Sequence, residues 1–286
     1  MIEFVNAKIN IGLQVVNRRE DGYHDLETVF YPVGLYAGTP ENPERFCDIL
    51  EVRRNDRVGF NLRLEGNPVA CPMEKHLVYR AAKLFFDTIH PYGGADIAFV
   101  KNLPDGAGMG GGSADASFTL KMLADAFEVT ADLKGMAMKL GADCPFFIDN
   151  RPAYAEGVGE KLEPINLDLS GYWLTVVKPD VSISTKEAFA GIVPHNGAAD
   201  LRKIAELPIE EWQGVVKNDF EDSIFPKHPF MKGIKEDMRA KGALYASLTG
   251  SGSCIYGIFG NREAAELAKR EFSTYPTIKA AYLLKM

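Results

Sequence analysis

The N-terminal segment alternates between apolar and polar positions. Ile9, Ile11, Leu13 and Val15 are spaced by Lys8, Asn10, Gly12 and Gln14, which predicts one strand over residues 2–16. Strand patterns also cover 25–35 and 48–64, and the Pro-containing segment AGTPENPERF between them predicts a surface loop. Leu77, Ala81, Ala82, Leu84, Phe85 and Ile89 recur at helical spacing and predict a helix over about 75–90. A short strand follows at Ala95–Val100. Two further helices are predicted over about 113–126, with Ala116, Leu120, Leu123 and Phe127 along one side, and over about 131–140, where Gly141 fits a C-cap.

The second half has a clearer order. Tyr172–Val177 predicts an apolar strand, and helices are expected near 184–190, 200–216 and 228–241. Ala243–Leu248 and Ser253–Phe259 predict strands, followed by a helix over 262–273 and a last strand near 278–284. Without the extra helices this is β-α-β-β-α-β, the split βαβ or ferredoxin-like pattern. The segment NRPAYAEGVGEKLEP, rich in Gly and Pro, predicts the junction, giving domains 1–158 and 159–286.

Composition narrows the function classes. At 286 residues, 46% hydrophobic and 25% charged, the chain is ordinary globular protein with enough length for a sizeable core. A net charge of −7 disfavours a broad nucleic-acid partner. No run of eighteen apolar residues predicts a membrane span. The start, MIEFVNAKINIGL, has no basic segment before an apolar core and reads as the beginning of a fold. Cys47, Cys71, Cys144 and Cys254 are far apart with no C-x-x-C pair, so a disulfide framework or zinc site is not expected and a reducing cytoplasm is.

Glycine carries the chemistry. The 27 glycines concentrate at 106–112 (GAGMGGG) and at 250–252 (GSG), with smaller groups at 93–94 and 157–159. The first cluster follows a predicted strand and opens a predicted helix. Missing side chains let backbone N–H groups face one concave surface, and the helix N-terminus adds orphan donors, which together suit phosphates. No Gly-Lys-Ser/Thr follows, so this is not a Walker A loop, and no ribose-binding acid follows at dinucleotide spacing. The second cluster reads equally as a hairpin turn or as a second backbone-lined wall. Lys8 and Asn10 share a strand face, and Lys8 alone reads as a solvated strand lysine. Tyr23 and His24 alone read as a turn with a surface aromatic. Asp143, in GADCPFF, is placed just past a helix end, where an acid opposes the dipole and hints at a nearby cation or donor.

AKINIGL, RREDGYHDLETVF, LPDGAGMGGGSADA, LGADCPFF, AEGVGEKL and LTGSGSC together resemble the GHMP small-molecule kinases across nearly the whole chain. The resemblance implies an α+β, two-domain GHMP kinase fold: an N-terminal mixed α/β domain of ribosomal-protein-like type and a C-terminal ferredoxin-like domain. It implies phosphoryl transfer from ATP, with Mg²⁺, to a hydroxyl of a small molecule bearing a cytidyl group. Asp143 matches the base or alkoxide-stabilising acid, and Lys8 matches its cationic partner. Asn10, Tyr23 and His24 match substrate-binding positions, where an aromatic and an imidazole can sandwich and hydrogen-bond a cytosine. Gly157 and Gly159 match the substrate's diphosphate side. Pro104, Gly106, Gly108, Gly110, Gly111, Gly112 and Ser113 match the ATP phosphate loop, with Lys101 and His76 near the nucleotide and Gly250, Ser251 and Gly252 as a wall of the cleft.

There are departures. Ala114 stands where the family often has a second serine, and His76 where an asparagine is expected. The loop 37–47 is longer than usual. No dedicated magnesium carboxylate is evident, leaving phosphates, water and Ser113. The rival functions are a GHMP kinase for homoserine, mevalonate or a sugar, a nucleic-acid-binding module, and a non-catalytic nucleotide sensor.

Overall fold

Asn6 breaks the predicted N-terminal strand into β1 (Ile2–Val5) and β2 (Ala7–Arg18). Its amide donates to the Ala7 carbonyl at 2.8 Å and exchanges hydrogen bonds with the Asn150 amide at 3.2 and 2.8 Å, which takes it out of the ladder. The computed structural model describes residues 1–34, 46–195, 197 and 199–286. Residues 37–45 of the long loop lie outside the described residues, and Phe46 and Cys47 at its end are buried.

After β3 (His24–Val33), the stretch predicted as one strand over 48–64 is two, β4 (Asp48–Asn55) and β5 (Gly59–Gly66). Asn55 Oδ1 accepts the Arg57 amide at 2.9 Å and turns the chain between them. Helix α1 (Leu77–Ile89) is capped by His76, whose Nδ1 accepts the Val78 amide at 3.3 Å. Strand β6 (Gly94–Lys101) leads through the glycine cluster into α2 (Gly111–Ala126), followed by α3 (Leu133–Met138) and α4 (Cys144–Asp149). Gly141 is not a C-cap, because α3 ends at Met138 with Lys139 as cap.

The predicted junction is not a linker. It folds as a hairpin of β7 (Ala153–Gly157) and β8 (Lys161–Pro164), turned by Gly157 and Gly159, both with positive φ. Then come β9 (Trp173–Pro179) and α5 (Thr185–Phe189). The helix predicted over 200–216 is split at Pro208 into a 3-10 turn (Leu201–Glu206) and α6 (Ile209–Val215). The chain finishes with α7 (Phe220–Ile224), α8 (Pro229–Ala240), β10 (Tyr245–Leu248), β11 (Ile255–Phe259), α9 (Arg262–Phe272) and β12 (Ile278–Lys285).

The chain forms two compact units that are interleaved along the sequence, so they do not follow a single cut at 158/159. The first comprises Met1–Ala7, Phe46–Asp105 and Gly110–Arg151, and the second Lys8–Arg45, Gly106–Met109 and Pro152–Met286. The reason is strand pairing: β3 pairs with β7, which draws the N-terminal β2–β3 segment into the second unit. The first unit has a sheet of order β1-β4-β6-β5, antiparallel except for the β5–β6 pair. Helix α2 packs on it and on α1 and α4, buried almost all round from Ala114 to Ala124. The second unit has one sheet of order β2-β3-β7-β8 and another of order β10-β11-β9-β12. The latter is the ferredoxin-like β-α-β-β-α-β arrangement, fully antiparallel, with Val177, Leu248, Ile255 and Phe259 packed against Met238 and Phe272 of its helices.

Candidate active site

Strand β2 is buried on both faces from Ala7 to Val15, which overturns the reading of Lys8 as a solvated lysine. Lys8 is 3% exposed and Asn10 2%. The Lys8 ammonium donates to Asn10 Oδ1, lies 3.5 Å from the Gly108 carbonyl, and stands 4.7 Å from the centre of the Phe30 ring. The Asn10 amide donates to Thr28 Oγ1 at 3.0 Å. The Lys8 backbone N–H donates to the Met109 carbonyl at 2.9 Å, so the strand itself touches the first glycine cluster.

The two glycine clusters meet within the second unit. A Cβ placed on Gly108 (φ +73°) would lie 2.1 Å from the Thr249 carbonyl and 2.9 Å from that of Gly252. One placed on Gly250 (φ +53°) would lie 2.7 Å from the Gly108 carbonyl. Only glycine allows this approach. The Cys254 amide donates to Ala107 O at 3.1 Å, and the Thr249 amide to Cys254 O at 3.0 Å. The second cluster therefore forms the turn between β10 and β11 and packs against the first cluster. Gly106 is exposed, Pro104 and Ser251 are half-buried, and Gly252 is buried.

His24, at the start of β3, stacks on Phe189 at the end of α5, with centroids 4.5 Å apart and planes 17° from parallel. Burial and the nearby Arg18 charge push its imidazole below the ordinary value, so at neutral pH it offers one donor and one acceptor. Tyr23 is 65% exposed. Phe189 escaped the sequence reading. The only signal for its placement is the Ser184 N-cap, whose Oγ accepts the Glu187 amide at 3.1 Å and starts the helix that ends on it. Gly157 and Gly159 turn the β7–β8 hairpin, and the Glu160 carboxylate fills the space where a Gly157 Cβ would lie.

In the first unit, α2 begins at Gly111 after Gly110 (φ +66°), with no side-chain cap. Its first amides therefore remain available as donors, at the positive end of the helix dipole. A Cβ on Gly111 would lie 3.2 Å from Lys101 Nζ and one on Gly112 3.1 Å from Leu77. Lys101 is 4% exposed and is held by Asp48 at 2.6 Å and Asp115 at 2.7 Å. Burial pushes its ammonium down, but the Asp115 and Asp48 charges outweigh this and hold it above the ordinary value. Burial raises Asp115 well above the carboxylate range, against the Lys101 charge.

Lys101 also lines a cavity of about 260 Å³ with His76, Phe99, Leu64, Met73 and Cys71. His76 lies edge-on to Phe99 at 5.7 Å and is kept below its ordinary pKa by burial and by the Lys101 charge. Ser113 lies beside Gly141, 3.9 Å from the point a Cβ there would occupy, close to the Cys144 thiol. Asp143 is half-buried and precedes α4, not only a helix end as predicted. It does not stand only at a helix C-terminus, so the dipole argument for a partner cation does not hold. Among the described residues no group of three or more His, Cys, Asp or Glu is placed to hold a metal ion.

The family model for the GHMP kinases N terminal domain matches residues 76–150, and that for the GHMP kinases C terminal matches residues 198–277. The chain belongs to the GHMP kinase family. A 4-diphosphocytidyl-2-C-methyl-D-erythritol kinase of Bacteroides thetaiotaomicron is 44% identical over 266 residues, covering 91% of this chain and 92% of that protein. A protein of the same name from Porphyromonas gingivalis is 41% identical over 275 residues, covering 94% and 95%. The crystal structure of a 4-(cytidine 5'-diphospho)-2C-methyl-D-erythritol kinase superposes with a TM-score of 0.83 at 31% identity, over 99% of this chain and 98% of that one. The mevalonate kinase of Methanococcus jannaschii shares the fold at 14% identity, with a TM-score of 0.64. The GHMP N-terminal match spans His76, the first glycine cluster and Asp143, whereas Lys8, Asn10, Tyr23 and His24 precede it.

Proposed function

We propose that the chain is an ATP-dependent kinase that phosphorylates the 2-hydroxyl of 4-diphosphocytidyl-2-C-methyl-D-erythritol, in isoprenoid precursor synthesis in the cytoplasm. The observation that carries the reading is the end-to-end likeness, above 40% identity, to kinases of that name. His24 supports it, because a neutral imidazole held in place on Phe189 offers one donor and one acceptor to a cytosine edge.

Phosphoryl transfer leaves the protein little covalent work, so positioning and charge neutralisation dominate. In this account the cavity beside His76 takes the adenine. The amides from Gly106 to Ser113 take the phosphates. Asp143 accepts the hydroxyl proton or steadies the alkoxide, and Lys8 is its cationic partner. Both substrates are polyanions and the chain carries −7, so attraction is local: glycine amides, a helix N-terminus and the Lys8 ammonium. Lys101 is a weaker contributor, since its charge is compensated by Asp48. Mg²⁺ would arrive bound to the ATP phosphates and neutralise their charge, and the Ser113 hydroxyl is the side chain that would help hold it.

The test is phosphorus NMR of the product of ATP and the cytidyl substrate. A new phosphomonoester on the 2-oxygen, formed in step with ADP, is expected. Inorganic phosphate alone, or no product, rejects the reading.

A further inference from the structure

Thr249 immediately precedes the second glycine cluster and is completely buried. Its hydroxyl donates to the Gly108 carbonyl at 3.1 Å, and the same oxygen accepts the Asn10 backbone N–H at 3.1 Å. The Lys8 ammonium approaches that same Gly108 carbonyl, at 3.5 Å. One hydroxyl thus ties β2, with Lys8 and Asn10 on it, to the first glycine cluster.

Thr249 has little freedom to do otherwise. Buried Asn218 donates from Nδ2 to Leu248 O and to Gly250 O, each at 2.9 Å, and so brackets Thr249 on both sides. The segment carrying Asn218 is itself bonded to β2, through Leu13 N to Lys217 O at 2.9 Å and Asp219 N to Leu13 O at 2.8 Å. The Gly108–Met109 peptide has the opposite problem. A peptide next to glycine reorients cheaply, because φ of either sign is open to it. In a trans peptide the C=O and N–H point opposite ways. Holding the Gly108 carbonyl on Thr249 therefore holds the Met109 N–H on the other side.

We infer that Thr249 is a positioning residue for phosphoryl transfer: its hydroxyl fixes the Gly108–Met109 peptide of the phosphate loop against Lys8 and Asn10. The inference rests on the kinase reading above and adds a residue to it. Thr249→Val keeps the shape and removes the hydroxyl, while Thr249→Ser keeps the hydroxyl and removes a methyl.

Steady-state kinetics with ATP and the cytidyl acceptor, and calorimetric ATP binding, decide it. Thr249→Val is expected to lower kcat at least about tenfold, with the acceptor KM within about threefold. Thr249→Ser is expected to stay within about threefold of the wild type in both. Wild-type kcat in Thr249→Val, or equal impairment in Thr249→Ser, overturns the inference. Should Thr249→Val fail to fold, Thr249→Ala is compared with Thr249→Ser in its place, and equal kcat in those two overturns it. Should the wild-type chain turn over no acceptor, the kinase reading fails and ATP binding decides the inference. Removing the hydroxyl then weakens ATP at least about fivefold while serine preserves it, and equal dissociation constants overturn it.

Discussion

The Lys101 ammonium stands 2.7 Å from Asp115 Oδ2 in the interior of the first unit, beside the glycine that opens α2. The two carboxylates around this lysine are not equivalent. Asp48 Oδ1 also accepts the Asn102 and Leu103 amides at 2.7 and 2.8 Å, whereas Asp115 Oδ1 is buried without a hydrogen-bond partner. Burial without that support pushes the Asp115 carboxyl well above the ordinary carboxylate range. Asp115→Asn, which removes a charge that burial disfavours, is expected to cost less stability than Asp48→Asn. Asp48→Asn breaks the ion pair and is expected to cost about 3 kcal/mol or more. Urea unfolding of both variants measures this, and equal losses contradict the assignment.

The same carboxyl sets a pH dependence. Asp115 is raised in the folded chain and ordinary in the unfolded one. Between about pH 4 and its folded pKa the native state holds a proton that the unfolded state has released, so its contribution falls as pH rises through that window. Wild-type stability should therefore drop more between pH 5 and pH 8 than that of Asp115→Asn. Parallel pH profiles for the two proteins contradict it.

The loop glycines differ in what they allow. A Cβ on Gly108 meets the Thr249 carbonyl at 2.1 Å, whereas one on Gly106 meets only Ser182 Oγ, at 4.0 Å. Gly106→Ala then carries only the left-handed backbone penalty, about 1–2 kcal/mol. Gly108→Ala forces the two clusters apart, and ATP affinity is expected to fall at least about tenfold further. Melting curves and ATP titrations of the pair check the contrast.

Tyr23→Ala, His24→Ala and Phe189→Ala are each expected to raise KM for the cytidyl substrate by about five- to a hundredfold, from a stacking contribution of about 1–3 kcal/mol. KM for ATP should stay within about threefold. Equal losses for both ligands would remove the cytosine pocket from the account.

The glycine clusters were legible because five glycines in GAGMGGG exceed what a turn needs, and the close approach of the second cluster accounts for Gly108 among them. Helix and strand order in the second half followed from periodicity. What failed was local. Polar residues at alternate β2 positions implied a wet face, yet the strand is covered on both sides, and Lys8 is buried. The segment around Gly157 and Gly159 read as a domain junction, and a unit boundary does fall in it after Arg151, but the two glycines themselves turn a hairpin inside a sheet. The Cys-Pro pair after Asp143 was a helix-start signal, with proline at the first turn of α4, and it outweighs the helix-end reading. Phe189, Asp48 and Asp115 could not be found by pattern. Their partners lie 165, 53 and 14 residues away, and nothing in local spacing records such a contact.

Asp143→Ala tests the assigned acid. Turnover is expected to fall by a factor of about a hundred to ten thousand, with ATP binding largely retained. Near-normal turnover removes Asp143 from the mechanism.

The most direct measurement is ADP release by the wild-type protein with ATP and, in parallel, the cytidyl substrate, homoserine, mevalonate and galactose. The account predicts rapid ADP release with 4-diphosphocytidyl-2-C-methyl-D-erythritol and only background with the other three. Turnover of one of those three alone would contradict it.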